Sequence, residues 1–527
     1  METRKRWLYG CIRLSKDPRL NGRSPYFFVA LICSLCVILS RCADKEPHGE
    51  PGQAMVFWNH ADSVGYVGIS TCRSCHADIY SSFMQTGMGQ SINVASRTKS
   101  ALPDSIGVLV DSMGGFHYRP YFIGDSLYLE EKLHAYAHER HEQVGHIIGS
   151  GQHTNSHLFE TNGFYHQMPF TFYTQDGRLD LPPGFENGQN SRFSRPIGLE
   201  CMSCHNAMPT GFVMGSENRF TDIPNGIDCE RCHGPGEAHV NKILNGDITD
   251  TAATYDPSIV NPARLSMNLQ MEICQRCHLQ GNAVLKPGKS FFDFRPGMEL
   301  SEVMEVFMPQ PQADPSDEGF IMAGHIQRFK LSKCFEAADG QFGCTSCHNP
   351  HKPVHQIDHS TFNSTCSNCH TERSCSLPEE DRMLSKNDCV HCHMPKTGSS
   401  DIPHVKVHDH YIAVHDGEDR LDPSVENGLY AVNNERPSRL SRLKAYVQQF
   451  ERFEGRKVLL DSASRYLDVE GFEGMMARVH YHYLREEWEA IRSIALRLQP
   501  DQWEQLKVMR YDNATAWTNY RMAVALR

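Results

Sequence analysis

Hydrophobic and polar positions divide the chain into stretches that read differently. Near the start a 14-residue apolar run, Tyr26–Leu39, follows a leader carrying Arg4, Lys5, Arg6, Arg13, Lys16, Arg19 and Arg23. That length suits the apolar segment of a signal peptide and is short for a membrane-spanning helix. Between about 100 and 190 the apolar residues come in short β-rich runs: Val108–Val110, Phe116–Ile123 and Leu127–Leu133, the last two joined through Gly124-Asp125-Ser126. His157–Thr161 and Phe164–Tyr173 flank Asn162-Gly163, the strongest short hairpin signal, and Asp176-Gly177 marks another turn. An inserted antiparallel β-meander is predicted there. From Cys201 to His393, Pro, Gly and Asn interrupt every pattern, so only short helices and loops are expected. Beyond Pro437 a helical period takes over. Ser438 can cap a helix in which Leu440, Leu443, Val447 and Phe450 share a face. Met475, Val479 and Tyr483 continue the habit, as do Trp488, Ile491, Ile494, Ala495 and Leu498 before Pro500. Asp512–Arg527, with Ala516, Trp517 and Ala523, looks like the first helix of a tetratricopeptide repeat.

Composition narrows the class. Over 527 residues, 40% hydrophobic and 22% charged residues are ordinary proportions, which argues against wholesale disorder and against a polytopic membrane protein. A formal charge of −11 argues against nucleic acid as a partner. The anomaly is 20 cysteines with 29 histidines, in a chain long enough to build a core without staples.

Fourteen of those cysteines fall into one pattern. Cys72/Cys75/His76 is site 1, followed by Cys201/Cys204/His205, Cys229/Cys232/His233 and Cys274/Cys277/His278. Cys344/Cys347/His348, Cys366/Cys369/His370 and Cys389/Cys392/His393 are sites 5 to 7. Seven copies of C-x-x-C-H, against roughly 0.04 by chance at this composition, are the attachment signature of c-type haem. Two thiols three residues apart can each form a thioether to a haem vinyl group, and the following histidine then sits under the iron. Zinc ribbons do not need a histidine after every second cysteine, and thioredoxin-like pairs come singly on a βαβ unit. Six sites share the 193 residues from Cys201 to His393, too few to enclose six macrocycles and also build a separate side-chain core. The haems are therefore expected to be the core.

Covalent haem of this kind is attached outside the cytoplasm, which fits the basic leader and apolar run. Residues 1–41 read as a signal peptide ending Leu39-Ser40-Arg41-Cys42, a pattern resembling a bacterial lipoprotein signal with Cys42 acylated. Arg41 stands where a small residue is usual, and a plain cleaved signal or an uncleaved anchor are the alternatives. Residues 42–65 read as a tether. Losing 1–41 removes eight Lys/Arg against two Asp/Glu and leaves the mature chain at −17.

Seven irons call for up to seven further ligands. His239 follows His233 through Gly-Pro-Gly-Glu-Ala, and His351 follows His348 through Asn-Pro. Each short link points the second histidine away from its own site, toward a neighbouring haem. His325 lies just ahead of site 5, and His404 and His410 follow site 7. Site 1 is followed by Met84 and Met88 instead, and Met88 is the candidate ligand; the alternatives are that both methionines pack on the ring or that a distant histidine reaches it. Cys334 and Cys375 remain, and a disulfide between them is expected in an oxidising compartment.

Gly226–His239, Cys344–His351 and Cys389–Pro395 with His404 and Asp409-His410 resemble the multihaem cytochromes of the c-552/c-554 type over roughly 66–415. The resemblance implies stacked haems, mostly bis-histidine ligation by residues matching His239, His351 and His410, and electron transfer. It also implies tetratricopeptide-like helices after the haem domain, here 437–527. The expected architecture is a mixed fold: a heptahaem core at 66–415 with a β subdomain at about 100–190 walling off haem 1, and a helical C-terminal region. The expected role is electron transfer by a periplasmic or outer-membrane-anchored protein, with redox proteins as partners and the helical region available for docking. The alternative is an enzyme acting on nitrite or hydroxylamine at one open haem. No C-x-x-C-K motif of the kind that pentahaem nitrite reductases carry is present.

Overall fold

The computed structural model describes residues 56–207, 211–213, 215–250, 255–310, 320–370, 375–415, 428–507 and 513–527. The signal peptide, Cys42 and most of the tether lie outside these residues. Among the described residues no helix is long and apolar enough to cross a membrane.

The β-rich runs form two antiparallel sheets rather than one meander. Strands β1 (Ile92–Val94), β2 (Leu109–Asp111), β3 (Phe116–Ile123), β4 (Ser126–Leu133) and β5 (His138–Gln143) come first in the chain. They are followed by β6 (His146–Ile148), β7 (Thr154–Thr161), β8 (Phe164–Tyr173), β9 (Arg178–Asp180) and β10 (Arg195–Pro196). One sheet has the order β2-β3-β4-β5; the other runs β1-β6-β7-β8-β10, with β9 also on β8. At the β7–β8 turn Thr161 faces Phe164, and Asn162 (φ 54°) and Gly163 (φ 83°) are both left-handed, as a type I′ turn requires. Tyr118, Leu127 and Leu129 of the first sheet share a core with Met168 and Phe170 of the second. Strand β8 is buried at every position from Met168 to Tyr173, so it is covered on both faces. A strand sandwiched in this way reads as a continuous apolar run.

The region of the seven motifs is built from helices of one to three turns, including Ile69–Cys75, Leu199–His205, Glu230–His233, Met267–His278, Cys344–Cys347, His359–Ser367 and Cys389–His393. Each motif lies on one of these helices or at its edge. A second small sheet, β11 (Asn282–Leu285), β12 (Met304–Pro309) and β15 (Leu429–Ala431), joins this region to the C-terminal helices. Between β12 and β15 in the chain, β13 (Lys396–Gly398) pairs with β14 (Lys406–His408) just after site 7. Val284, Phe307 and Leu429 of the small sheet pack on Leu443, Ala445 and Val447 of helix Arg439–Gln449. Ser438 caps that helix, accepting the Ser441 N–H at 3.0 Å. A second helical core gathers Met475, Val479, Ile491, Ala495, Met522 and Ala525 from helices Gly471–Leu484, Trp488–Arg497 and Asn513–Leu526.

Candidate haem centres

Within a motif the chain makes one helical turn, which returns the histidine over the first cysteine. The backbone N–H of His76 donates to Cys72 O at 2.9 Å, His233 to Cys229 O at 3.0 Å, His348 to Cys344 O at 2.8 Å and His370 to Cys366 O at 2.8 Å. Two thiols and an imidazole are thereby presented on one short rigid turn, the donor set that a covalently held haem needs.

The residues between the cysteines lock the motifs to one another. In site 3 these are Glu230 and Arg231, both buried. Glu230 accepts the backbone N–H groups of Val67 and Gly68 at 2.9 and 2.7 Å, which fastens the approach to site 1. Arg231 Nη2 donates to Ser203 O of site 2 at 2.6 Å. Arg276 of site 4 donates in turn to Arg231 O at 3.1 Å. Thr345 of site 5 donates to Gln270 Oε1 on the site 4 helix at 2.8 Å, and Thr365 beside site 6 donates to Ser346 O of site 5 at 3.2 Å. The Cys389 N–H of site 7 donates to Asn363 Oδ1 on the site 6 helix at 3.0 Å. Thiols follow the same order: Cys72 neighbours Cys229, Cys204 neighbours Cys277, and Cys274 neighbours Cys344. Cys366 neighbours Cys389. Sites 2, 3 and 4 thus meet at a junction, with site 1 on one side and sites 5, 6 and 7 in line on the other.

Histidines from distant segments come together, His325 and His410 with ring centroids 4.5 Å apart among them. The His233 and His351 rings have centroids 6.1 Å apart with planes within 7°. The His348 and His410 rings are 6.2 Å apart, and His278 and His325 are 5.4 Å apart. Two imidazoles sharing one ion, each through a metal–nitrogen bond of about 2 Å, have centroids about 6 Å apart. His233 Nδ1 lies 2.9 Å from Val260 O, His393 Nδ1 2.8 Å from Ala413 O, and His410 Nδ1 3.1 Å from His408 O. A carbonyl at Nδ1 fixes the proton there and leaves Nε2 as a lone-pair donor. Burial holds His233, His325 and His348 below the usual imidazole range and pushes His410 down to about 4, favouring the neutral form that binds metal. One more observation fits an embedded macrocycle. Among the described residues from 351 to 400 the only buried one is Pro353, so this segment has no side-chain core of its own. The residues present fit haem c.

His325 and His410 are held by a buried ion pair. Arg328, on the helix His325–Lys330, donates from Nε to Asp409 Oδ1 at 3.1 Å and from Nη2 to Asp409 Oδ2 at 2.9 Å. His239 is placed beside His233, with Nδ1 3.3 Å from Ser258 Oγ. His76 is another neighbour of His233.

Other expectations are corrected. Cys75, Cys201, Cys369 and Cys392 are exposed while the other ten motif cysteines are half-buried. Cys392 departs furthest from the pattern. Its partner within site 7, Cys389, is tied to site 6 through Asn363 and Cys366, whereas Cys392 is joined to no other motif among the described residues. The physical reason is its place in the line: site 7 is the last motif, so the far side of its one-turn helix has no further motif to pack on. His404 is not brought to a motif: its Nε2 is 3.0 Å from Asp180 and its Nδ1 3.4 Å from Asp176, so carboxylates at the end of the β subdomain take both ring nitrogens. The Met88 backbone is placed on the approach to site 3, its O accepting the Ile227 N–H at 3.0 Å. The β subdomain covers site 2 rather than site 1. Ile92, Leu158 and Tyr165 share a core with Met202, and Ser91 Oγ donates to His205 O at 2.6 Å. Cys334 and Cys375 are free thiols; Cys334 lies among Cys347, Cys366 and Cys369, between sites 5 and 6. Sequence reasoning passed over Glu230, Arg231 and Arg276, although a charged residue inside a motif that must be buried was a visible signal.

No family model and no curated protein matches the chain. One solved structure that is similar to it is an undecaheme cytochrome from the S-layer of Carboxydothermus ferrireducens. The identity is 14%, the TM-score 0.31, and the match covers 94% of this chain and 72% of that one. Likeness at that level does not assign a fold.

Proposed function

We propose that the chain is an exported multihaem c-type cytochrome that transfers electrons through seven covalently bound haems. The observation that carries this reading is the joining of all seven motifs into one connected array, through the residues between the cysteines at sites 2 to 5 and through residues at or beside the motif at sites 1, 6 and 7. Bound haem would supply one-electron exchange between ferric and ferrous iron. The cysteines would hold each group, the motif histidines would ligate from one side, and His351, His325 and His410 would ligate sites 3, 4 and 5 from the other. His239, which like His76 is a neighbour of His233, is the candidate for site 1. Electron hopping needs short gaps, and the locked motifs keep neighbouring sites together. Acylation at Cys42 would keep the protein at a membrane surface, with redox proteins as partners and the C-terminal helices as a docking element of tetratricopeptide type.

The test is a haem count joined to EPR. Seven haems per chain by pyridine haemochrome, with low-spin ferric signals, are expected of a carrier. A different count breaks the premise. A high-spin signal that shifts on adding nitrite or hydroxylamine would favour the enzyme reading instead.

A further inference from the structure

The two variable residues of site 3 carry opposite charges and point to different neighbours. Glu230 is 2% exposed and is pinned by three backbone N–H groups, of Val67, Gly68 and Gly236 at 2.9, 2.7 and 2.8 Å. Asp228, also buried, takes the Arg231 N–H at 3.2 Å. Both carboxylates are electrostatic neighbours of Cys72 in site 1. Arg231 on the same helix is 2% exposed, and Arg276 on the site 4 helix is 4% exposed. Their guanidinium groups lie 4.5 Å from the Phe292 ring and 5.7 Å from the Phe294 ring respectively. Arg231 grips Ser203 of site 2, and both arginines neighbour Cys277 of site 4. Charges buried in this way act through a low dielectric and are poorly screened by salt.

We propose that site 3 carries a built-in potential step: Asp228 and Glu230 favour ferric iron at site 1, while Arg231 and Arg276 favour ferrous iron at sites 2 and 4. The proposal rests on the reading of the motifs as haem sites. The change at each iron is a one-electron reduction, the electron coming from a one-electron donor, and no bond is made or broken. Negative charge beside an iron stabilises its more positive state, and positive charge does the reverse. An electron entering at site 1 then runs downhill through site 3 and rests at the junction.

The experiment is a spectroelectrochemical titration, with mediator dyes, of the matured wild type and of E230Q, R276Q and R276K, each with its haem count. In the wild type the seven midpoints are expected to be spread. R276Q should lower the reduction constant of the highest-potential haems at least tenfold, about 59 mV for one electron. E230Q should shift the lowest midpoint the opposite way, upward, and R276K should retain the wild-type values. Unchanged midpoints in glutamine variants that carry seven haems would overturn the step. So would seven coincident midpoints in the wild type, an outcome that stays decisive if a variant fails to mature. A wild type without covalent haem would instead overturn the reading of the motifs.

Discussion

Replacing Asp409 with asparagine leaves Arg328 as a buried cation without its counter-charge. Both side chains are 0% exposed, and the carboxylate accepts two hydrogen bonds from the guanidinium, at 2.9 and 3.1 Å. Breaking such a pair from one side costs about 3–5 kcal/mol, because the desolvated charge that remains has lost its counter-ion. An amide oxygen can still accept one of the two bonds, which puts D409N near the lower end, about 3 kcal/mol. The double variant R328M/D409L removes both charges and fills similar volume, so it should be close to neutral or more stable. Guanidinium unfolding followed by far-UV circular dichroism measures both. His325 shares a helix with Arg328, and His410 follows Asp409, so the same variant should also loosen two candidate ligands. The low-spin EPR signals of two haems would then broaden or convert. A loss below about 1 kcal/mol in D409N, or a double variant as weak as the single one, would refute this account of the pair.

Three further outcomes are expected. His157 is buried, stacks on Phe170 at 3.9 Å, and burial pushes it down to about 3, so the unfolded chain takes up its proton near pH 6.5 while the native one does not. Stability should therefore fall by about 1.4 kcal/mol per pH unit for this group as pH drops below about 6.5, and H157F should flatten that limb in pH-dependent melts. Asp228 is the opposite case: burial, helped by Glu230, raises it to about 6, so the native acid keeps a proton that the unfolded chain loses between about pH 4 and 6. Wild-type stability should decline as pH rises through that window, and D228N should be the more stable protein at about pH 7.5 but not at about pH 4; equal stability at both values would contradict the assignment. At Gly226 (φ 59°) an added Cβ would sit 2.1 Å from Gly89 O, so G226A must push the approach to site 3 off the 88–92 segment. A loss of at least about 1–3 kcal/mol should appear in chemical unfolding.

What the sequence made legible was local. Asn162-Gly163 specifies its turn through two left-handed residues, and Ser438 specifies a helix start, because both signals act within four positions. The seven motifs were legible for the same reason: thiol, thiol and imidazole must share one helical turn. Pairings between distant segments were not. That β8 is covered on both faces depends on where the second sheet lands, and alternation along one strand does not encode that. His404 stands beside His410 in sequence, yet Asp176 and Asp180, far back along the chain, claim its nitrogens. Nor does the C-x-x-C-H pattern distinguish Cys392, exposed at the end of the line, from the half-buried Cys232 at the junction. The order of the sites in space follows from contacts such as Arg231 with Ser203, which no spacing rule anticipates.

The segment from 351 to 400, buried only at Pro353 among its described residues, has a consequence for how the protein is made. Helices this short do not persist in water by themselves, so on the proposed function their order would be drawn from attachment of the prosthetic groups. A chain exported faster than it is loaded would hold a structured β portion and a structured C-terminal portion around a slack middle. Proteases that clear misassembled exports would cut there first, and the level of mature protein would report the supply of haem to the cell envelope.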